Sequence, residues 1–197
     1  MTTSSGKIGS QRKPKQTRSL LTVERVLIAA ATVLDLRGFD GFSMQSVADE
    51  ASLAIGTLYQ YFPNKYAILE VLVRRWYAKS NLFDKDQTSL VPNVEAQAEI
   101  YFNETGAIAL LEAVQVVPEL RTYDRLTTEL SIDRLAQRLS GDEKLTPAHI
   151  AMAQVSIFAI DAVLRQSASL PREEAMEAVA VLKQWVEALY SDIDPEG

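Results

Sequence analysis

A chain of 197 residues has room for one domain of common size, or for a small domain joined to a larger one. Its hydrophobic fraction of 47% supports a buried core, and the absence of cysteine excludes disulfides, thiolate metal sites and cysteine nucleophiles. The net charge of −6 is uneven: residues 1–80 carry 11 Lys and Arg against 6 Asp and Glu, whereas the later residues carry 9 against 20. A basic front suits a polyanion, although a simple drift of charge along the chain explains the pattern equally well.

The first segment is polar and the first helix follows it. Residues 1–19 contain Ser, Thr, Gly and basic side chains with almost no apolar ones, so we predict a disordered basic tail. Helical periodicity then begins, and Gly38 stands where a C-terminal cap is needed. The apolar residues that share one face of this helix are Val23, Val26, Leu27, Ala30 and Leu34.

Two short helices and a longer one are predicted next. Ser43 is a good N-cap for a second helix that reaches Ala51. A turn at 52–54 leads to a third helix from Ile55 to Phe62, which Pro63 ends. Asn64 caps a fourth helix over about 65–79, which we expect to connect two domains.

The remainder also predicts helices. A polar connection over 80–93 precedes helices around 94–115, 118–140, 147–169 and 171–191, and prolines fall near three of the starts. Strand signals such as sustained alternation are missing. We therefore predict an all-α fold with an N-terminal three-helix helix-turn-helix domain over 20–66, followed by a larger helical domain over 80–197.

The third helix has a face that suits a DNA groove. Helical geometry turns Leu58 and Phe62 inward together. The outward face is small and polar and contains no acid, with Lys65 nearby; its residues are Gly56, Thr57 and Gln60, flanked by Tyr59 and Tyr61. Glutamine can contact adenine, and hydroxyls reach phosphates or thymine methyls. Composition alone does not distinguish this face from an ordinary helical surface.

The order of residues from Val26 to Leu69 resembles the N-terminal domain of TetR-type (tetracycline-repressor-like) regulators. The matching stretches are Ile28-Ala29-Ala30, Gly38-Phe39, Ser43-Met44, Val47-Ala48, Ala51, Gly56-Thr57-Leu58-Tyr59, Tyr61-Phe62, Asn64-Lys65 and Ile68-Leu69. The resemblance implies phosphate contacts chiefly from Thr57, Tyr59, Tyr61 and Lys65. It also implies base or groove contacts from Gln45, Ile55, Gly56 and Gln60, and a phosphate-facing cap at Ser43.

The chain departs from the family pattern in two places. Ser52 stands where a glycine is usual in the inter-helix turn, and it is tolerable if φ is negative or if strain is accepted. Ala54 stands where a serine commonly caps the third helix, which removes about 1 kcal/mol of stabilisation.

A further hypothesis concerns the tail, whose basic residues could follow the DNA backbone, although a solubilising tail is equally plausible. These residues are Arg12, Lys13, Lys15 and Arg18.

The last two helices carry surplus apolar surface. Residues 148–164 are apolar nearly all round, and the final helix repeats apolar residues at helical spacing. Such surfaces suit a four-helix homodimer interface through 147–169 and 171–191, the role the resemblance also implies, although a monomer's core is the alternative. A dimer places two reading helices about 34–36 Å apart and predicts a near-palindromic operator.

The resemblance also implies a pocket among the middle helices for a small-molecule effector. Its candidate residues are Trp76, Tyr101, Phe102, Leu111, Gln115, Tyr123, Met152 and Phe158, each of which an ordinary core also explains. Glu112 and Asp161 would favour a cationic or donor-rich ligand if they face inward.

The single histidine, His149, lies at a helix start without a partner cluster, so we expect a surface or interface residue and no metal site.

These features predict a ligand-responsive DNA-binding regulator of transcription, more specifically a repressor, that binds double-stranded DNA as a dimer. The alternative is an architectural or partner-binding protein that keeps the fold without reading sequence. An α-helical enzyme is disfavoured because no catalytic motif is present, and no cofactor is expected. No stretch approaches about 18 uninterrupted apolar residues and the first residues lack an apolar signal core, so we expect a cytoplasmic protein without a membrane span.

Overall fold

The protein is helical throughout the part of the chain that its computed structural model describes, residues 17–79, 90–141 and 143–191. Nine α-helices and no strand occur there, which confirms the all-α fold class. The helices are α1 (Thr17–Arg37), α2 (Met44–Glu50), α3 (Ile55–Tyr61), α4 (Lys65–Lys79), α5 (Val94–Asn103), α6 (Ala107–Val116), α7 (Pro118–Ser140), α8 (Pro147–Ser167) and α9 (Arg172–Tyr190).

The first helix is longer than the sequence indicated. It begins at Thr17, so residues 17–19, which were assigned to the tail, are helical. The rest of the predicted tail and residues 80–89 of the polar connection lie outside the described residues. At the other end, Gly38 has a φ of 64° and its N–H donates to the carbonyl oxygen of Leu34 at 2.9 Å. A left-handed residue at this place is what ends the helix, as predicted.

Local capping explains where α2 begins. The Ser43 hydroxyl accepts a hydrogen bond from the Ser46 N–H at 3.0 Å, and the Ser43 N–H donates to Oγ of Ser46 at 2.9 Å. This reciprocal pair satisfies two backbone donors at the start of the helix. The predicted N-cap at Ser43 is therefore confirmed.

The turn between α2 and α3 shows how the two departures from the family pattern are accommodated. Ser52 has a φ of 51°, so the chain accepts a left-handed conformation at a residue other than glycine. Ala54 takes the N-cap position of α3 and makes no side-chain cap, as the sequence indicated. The next helix does have one, because Oδ1 of Asn64 accepts from the Ala67 N–H at 3.0 Å.

The helix predicted over 94–115 is wrong in one respect, because the structure contains two helices there. Residues 104–106 separate α5 from α6, and Gly106 has a φ of 74°. A Cβ atom at Gly106 would lie 2.6 Å from the carbonyl oxygen of Ala31 on α1. The chain therefore breaks where α6 approaches the backbone of α1.

The later helices begin close to the predicted positions. Pro118 and Pro147 each lie in the first turn of their helix, whereas Pro171 is the N-cap of α9. At the start of α8 the Thr146 N–H donates to Nδ1 of His149 at 3.3 Å, and the His149 N–H donates to the Thr146 hydroxyl at 3.4 Å. His149 thus caps a helix and is half-buried.

One hydrophobic core joins the two halves of the molecule. It runs continuously from Val26 on α1 through Leu58 on α3 to Tyr190 on α9. The connecting helix α4 contributes Ile68, Leu69, Val73 and Trp76 to it and packs against α1, α6 and α7. The helix α4 therefore contacts both the first helix and helices of the larger domain.

The helix α8 is more apolar than predicted, since no membrane span was expected from the sequence. By length and composition alone it could cross a membrane, with a mean hydropathy of 1.5 over its most apolar window. Only 28% of that window is buried within the chain, although α8 packs against α5, α7 and α9. Its outer side therefore leaves apolar surface uncovered.

Candidate functional site

The α3 helix presents a polar surface and is held from behind by the core. Leu58 is fully buried and Phe62 is 2% exposed, as predicted. On the opposite side Tyr59 is 51% exposed and Ile55 is 37% exposed. Gly56 and Gln60 are also exposed, whereas Thr57 and Tyr61 are half-buried. We call the exposed or half-buried residues 55–57 and 59–61 the α3 face.

The α3 face is open to a large partner. A Cβ atom at Gly56 would meet no atom within 4 Å, so another molecule can approach the backbone closely there. The face has no charged side chain of its own. A polyanion therefore meets hydrogen-bonding groups and the positive end of a short helix with no repelling carboxylate on α3 itself.

The predicted contact residues beside the α3 face already make hydrogen bonds within the protein, to different extents. Ser43 is exposed, and its hydroxyl already accepts the α2 cap. Nε2 of Gln45 donates to Oδ1 of Asp49 at 2.6 Å on the exposed side of α2. Nζ of Lys65 donates to the Phe42 carbonyl oxygen at 3.2 Å, so this cation also braces the turn before α2.

Sequence reasoning missed a basic residue beside the α3 face. Arg25 on α1 is exposed and lines a depression of about 480 Å³ together with Thr57 and Tyr61 of the α3 face. The signal for it was weak, because Arg25 lies on the polar side of α1 like any solvated charge. Only the packing of α1 against α2, which in turn contacts α3, brings it beside α3.

A second feature is a cavity of about 370 Å³ in the larger domain, which we call the central cavity. Its lining comes from α4 to α8. The lining residues are Trp76, Tyr77, Gln97, Tyr101, Gln115, Asp124, Thr128, Ser131, Ile157, Phe158, Ile160, Asp161, Ala162 and Arg165. Its volume lies near the lower end of the range of about 300–1,000 Å³ typical of small-molecule sites.

The structure brings four of the eight candidate pocket residues to this cavity: Trp76, Tyr101, Gln115 and Phe158. The other four lie outside the lining. Leu111 is 3% exposed in the core, and Met152 packs against the core. Phe102 lies under the Arg172 guanidinium at 5.1 Å, and Tyr123 packs against Tyr77 at 5.8 Å. The spacing of aromatic residues did not determine which way each one turns.

Charged groups give the central cavity its chemistry. The Tyr101 hydroxyl donates to Oδ1 of Asp161 at 2.6 Å, and Nη2 of Arg165 donates to the same oxygen at 3.0 Å. The Tyr77 hydroxyl donates to Asp124. Asp161 thus faces the cavity, whereas Glu112 is exposed. A charged pair four residues apart in an otherwise apolar helix was the sequence signal for Asp161 and Arg165.

Both cavity phenols are held in their neutral form. Burial raises the pKa of Tyr77 above its ordinary value, and the hydrogen bond to Asp124 raises it further. Burial likewise raises the pKa of Tyr101, with Asp161 adding to the effect through its charge and its hydrogen bond. These hydroxyls therefore act as hydrogen-bond donors to the carboxylates at neutral pH.

Comparison with known proteins agrees with this arrangement. The family described as bacterial regulatory proteins, tetR family, matches residues 26–72. The HTH-type transcriptional repressor KstR of Rhodococcus jostii is 34% identical over 143 residues, which are 67% of this chain and 66% of that protein. KstR of Mycobacterium tuberculosis is 36% identical over 56 residues, so the match covers 28% of this chain and about a quarter of that relative.

The solved structures extend the likeness to the whole fold. A TetR-like transcriptional regulator from Rhodococcus sp. RHA1 superposes with a TM-score of 0.66 over 92% of this chain and 98% of that one, at 18% sequence identity. The helix-turn-helix core, the connecting α4 and the larger helical domain thus occur together in solved relatives. The chain belongs to the TetR family of bacterial regulatory proteins.

Proposed function

We propose that this protein is a ligand-responsive transcriptional repressor. It binds a near-palindromic operator as a homodimer and leaves the operator when a small molecule occupies the central cavity. The observation that carries the proposal is the α3 face, an exposed polar surface without acids, mounted on a buried core. The name of the KstR relatives, HTH-type transcriptional repressor, supports repression over activation.

The α3 face would read DNA from the major groove. Gln60 is exposed and can form two hydrogen bonds with an adenine edge, and Gly56 lets the backbone approach the groove. Phosphates would be bound by the hydroxyls of the same face and by Arg25. An ammonium group carries three N–H donors, so Lys65 can keep its bond to Phe42 and still bind a phosphate.

The outer sides of α8 and α9 would form the dimer interface. Val155 and Phe158 of α8 are 52% and 54% exposed, and Phe158 also borders the central cavity. Val181 and Trp185 of α9 are 66% and 40% exposed. These side chains lie at helical spacing on two adjacent helices, so they form an apolar surface that a second copy would cover. The same pairing accounts for the apolar outer side of α8 without a membrane, and we place the protein in the cytoplasm.

The central cavity would control DNA binding through α4. Trp76 and Tyr77 line the cavity near one end of α4, while Lys65 holds the turn before α2 at the other end. Arg75 of the same helix also pairs with Glu24 of α1 at 2.7 Å. A ligand that displaces the two aromatic residues would tilt α4 and change the separation of the two α3 helices.

The decisive experiment measures specific against non-specific DNA binding at one fixed salt concentration. The purified protein is used to select sites from a random duplex library. We expect near-palindromic sites that bind about a thousandfold or more tighter than random duplex. Equal affinity for selected and random duplexes would contradict the proposal and would fit an architectural protein instead.

Matched glutamine variants locate the reading helix. Gln60→Ala should weaken specific binding about 5- to 150-fold and relax sequence preference at one position in each half-site. Gln137→Ala removes an exposed glutamine from α7 and should leave binding unchanged. An unchanged sequence preference in Gln60→Ala would contradict the proposal that α3 contacts the bases.

Matched valine variants locate the dimer interface. Val181→Glu places a charge on the apolar surface of α9 and should yield monomers in sedimentation equilibrium. Val116→Glu introduces the same charge at a valine that is 59% exposed on α6 and should leave the dimer intact. Dimers of equal stability in both variants would place the interface elsewhere.

A further inference from the structure

Two residues that line the central cavity each carry a buried hydrogen-bond donor without an acceptor. Among the buried side-chain nitrogen and oxygen atoms of the described residues, Nε1 of Trp76 and Nη1 of Arg165 are the two without a partner. Both residues line the central cavity. Because a buried donor without a partner is costly, such groups mark a place where another molecule supplies the acceptor.

The Arg165 guanidinium is fixed while one of its nitrogens stays unused. Its Nε donates to Oδ2 of Asp161 at 3.3 Å, and its Nη2 donates to Oδ1 at 3.0 Å. This two-point pairing compensates the charge and sets the orientation of the planar group. The Nη1 hydrogens then remain without an acceptor. Because Asp161 already compensates the charge of Arg165, an uncharged acceptor is sufficient for them.

The lining disfavours an anion through its charge and an amine through its unmatched hydrogen-bond donors. Asp124 and Asp161 are carboxylates, and Arg165 is the only cation among the lining residues. An added carboxylate would meet this excess of negative charge. An amine would bring further donors to a site whose unmatched groups are donors already.

The rest of the lining suits an apolar body. The Trp76 ring meets the Tyr101 ring edge-on with 5.0 Å between centroids, which forms an aromatic wall. Ile157, Ile160 and Phe158 add aliphatic and aromatic surface from α8. Pockets of this composition take largely apolar ligands that a few polar groups orient.

We propose that the central cavity binds an uncharged, largely apolar molecule whose carbonyl-type oxygens accept hydrogen bonds from Trp76 and Arg165. The chemical class comprises cyclic ketones, lactones, esters and amides. This inference rests on the proposed function in one point only, that the central cavity is the effector site.

A matched series of probes on one skeleton tests the class. Calorimetry at pH 7 with the full chain compares 2-tetralone, tetralin, tetralin-2-carboxylate and 2-aminotetralin, which differ in one functional group. We expect the ketone to bind about tenfold tighter than the hydrocarbon, because only the ketone supplies an acceptor to the buried donors. The anion and the amine should bind more weakly than the ketone.

Variants show whether the two donors cause that preference. Trp76→Phe keeps an aromatic ring but removes the N–H, and Arg165→Lys keeps a cation beside Asp161 but removes Nη1. Each should reduce the ratio of ketone to hydrocarbon affinity several-fold. Ile157→Val, at a lining residue without polar atoms, should change both affinities together and leave the ratio as it was.

The result that overturns the inference is a ketone that binds no tighter than tetralin, or a carboxylate or amine that binds best. A ratio unchanged in both donor variants, or binding of none of the four probes at millimolar concentration, overturns it equally. Selected-site DNA binding is measured on the same preparation. Failure of DNA binding contradicts the proposed function, whereas a lost ketone preference with intact DNA binding contradicts only the ligand class.

Discussion

The backbone N–H of Gly106 donates to Oδ1 of Asp35 across 3.2 Å, which joins the start of α6 to α1. The two backbones are close enough that a Cβ atom at Gly106 would lie 2.6 Å from the carbonyl oxygen of Ala31. This contact links the domain that holds the central cavity to the first helix of the helix-turn-helix. It adds a second connection between the two parts, beside the one that α4 provides.

Gly106→Ala should destabilise the protein by more than the backbone conformation alone requires. The φ of 74° costs a residue with a side chain about 1–2 kcal/mol, and the clash with Ala31 adds to that cost. Gly38→Ala is the matched control, because Gly38 has a φ of 64° but a Cβ atom there meets nothing within 4 Å. Urea unfolding at pH 7 should rank the wild type first, Gly38→Ala second and Gly106→Ala last. Equal losses in the two variants would show that α6 and α1 separate without penalty.

Ser52→Gly should stabilise the protein by about 0.5–1 kcal/mol. Serine at a φ of 51° is strained, and glycine relieves the strain while losing some free energy through the more flexible unfolded chain. Ser191→Gly provides the contrast, since Ser191 has a φ of −58° and should gain nothing. Thermal unfolding of both variants measures the difference, and a loss of stability in Ser52→Gly would show that the turn is held without strain.

The two helices of the helix-turn-helix should respond in opposite directions to changes at their N-caps. Ala54→Ser supplies the missing cap of α3 and should add up to about 1 kcal/mol to the free energy of unfolding. Ser43→Ala removes an existing cap from α2 and should lose about 1 kcal/mol or more. Chemical denaturation of the two single variants checks both signs. An unchanged free energy of unfolding in Ala54→Ser would show that the new hydroxyl does not reach the free N–H groups of α3.

Alkaline pH should destabilise the protein through its cavity tyrosines. Burial and Asp161 raise the pKa of Tyr101, so the folded state keeps a proton that the unfolded state releases near pH 10. The free energy of unfolding is therefore unaffected by the titration of Tyr101 below about pH 10. It declines as the pH rises further, because the unfolded state then binds fewer protons than the folded state. Urea unfolding between pH 8 and 11 should show this decline.

Tyr101→Phe identifies the residue responsible for the pH dependence. The variant should lose about 1 kcal/mol at pH 7, because the hydrogen bond to Asp161 is missing. Its stability should then fall less steeply above pH 10 than that of the wild type, because one raised pKa has been removed. Parallel curves for the two proteins would contradict the assignment to Tyr101.

Local signals predicted the N-terminal half well. Ser43 begins α2 through its own side chain, and Pro63 with Asn64 separates α3 from α4 by fixing backbone geometry and supplying a cap. The burial of Leu58 and Phe62 followed from helical geometry alone. Such features depend on residues within one turn of each other, so they can be predicted directly from the sequence.

The central cavity was harder to predict, because its members come from five helices. Periodicity shows which residues share a face of a helix, but the rotation of each helix against its neighbours determines which face lines a void. Tyr101 therefore reaches the cavity while Phe102, the next residue, packs under Arg172. The pairing of Arg165 with Asp161, which leaves Nη1 without an acceptor, likewise depends on the side-chain geometry.

The sequence by itself determined the all-α fold, the helix-turn-helix and the outward polar side of α3, because capping, turns and helical periodicity are local properties of the chain. Only the tertiary structure decided the break at Gly106, the place of Arg25 beside α3 and the lining of the central cavity. Each of these depends on how close two helices approach and how they are rotated. That arrangement is fixed by the packing of side chains distant in the sequence.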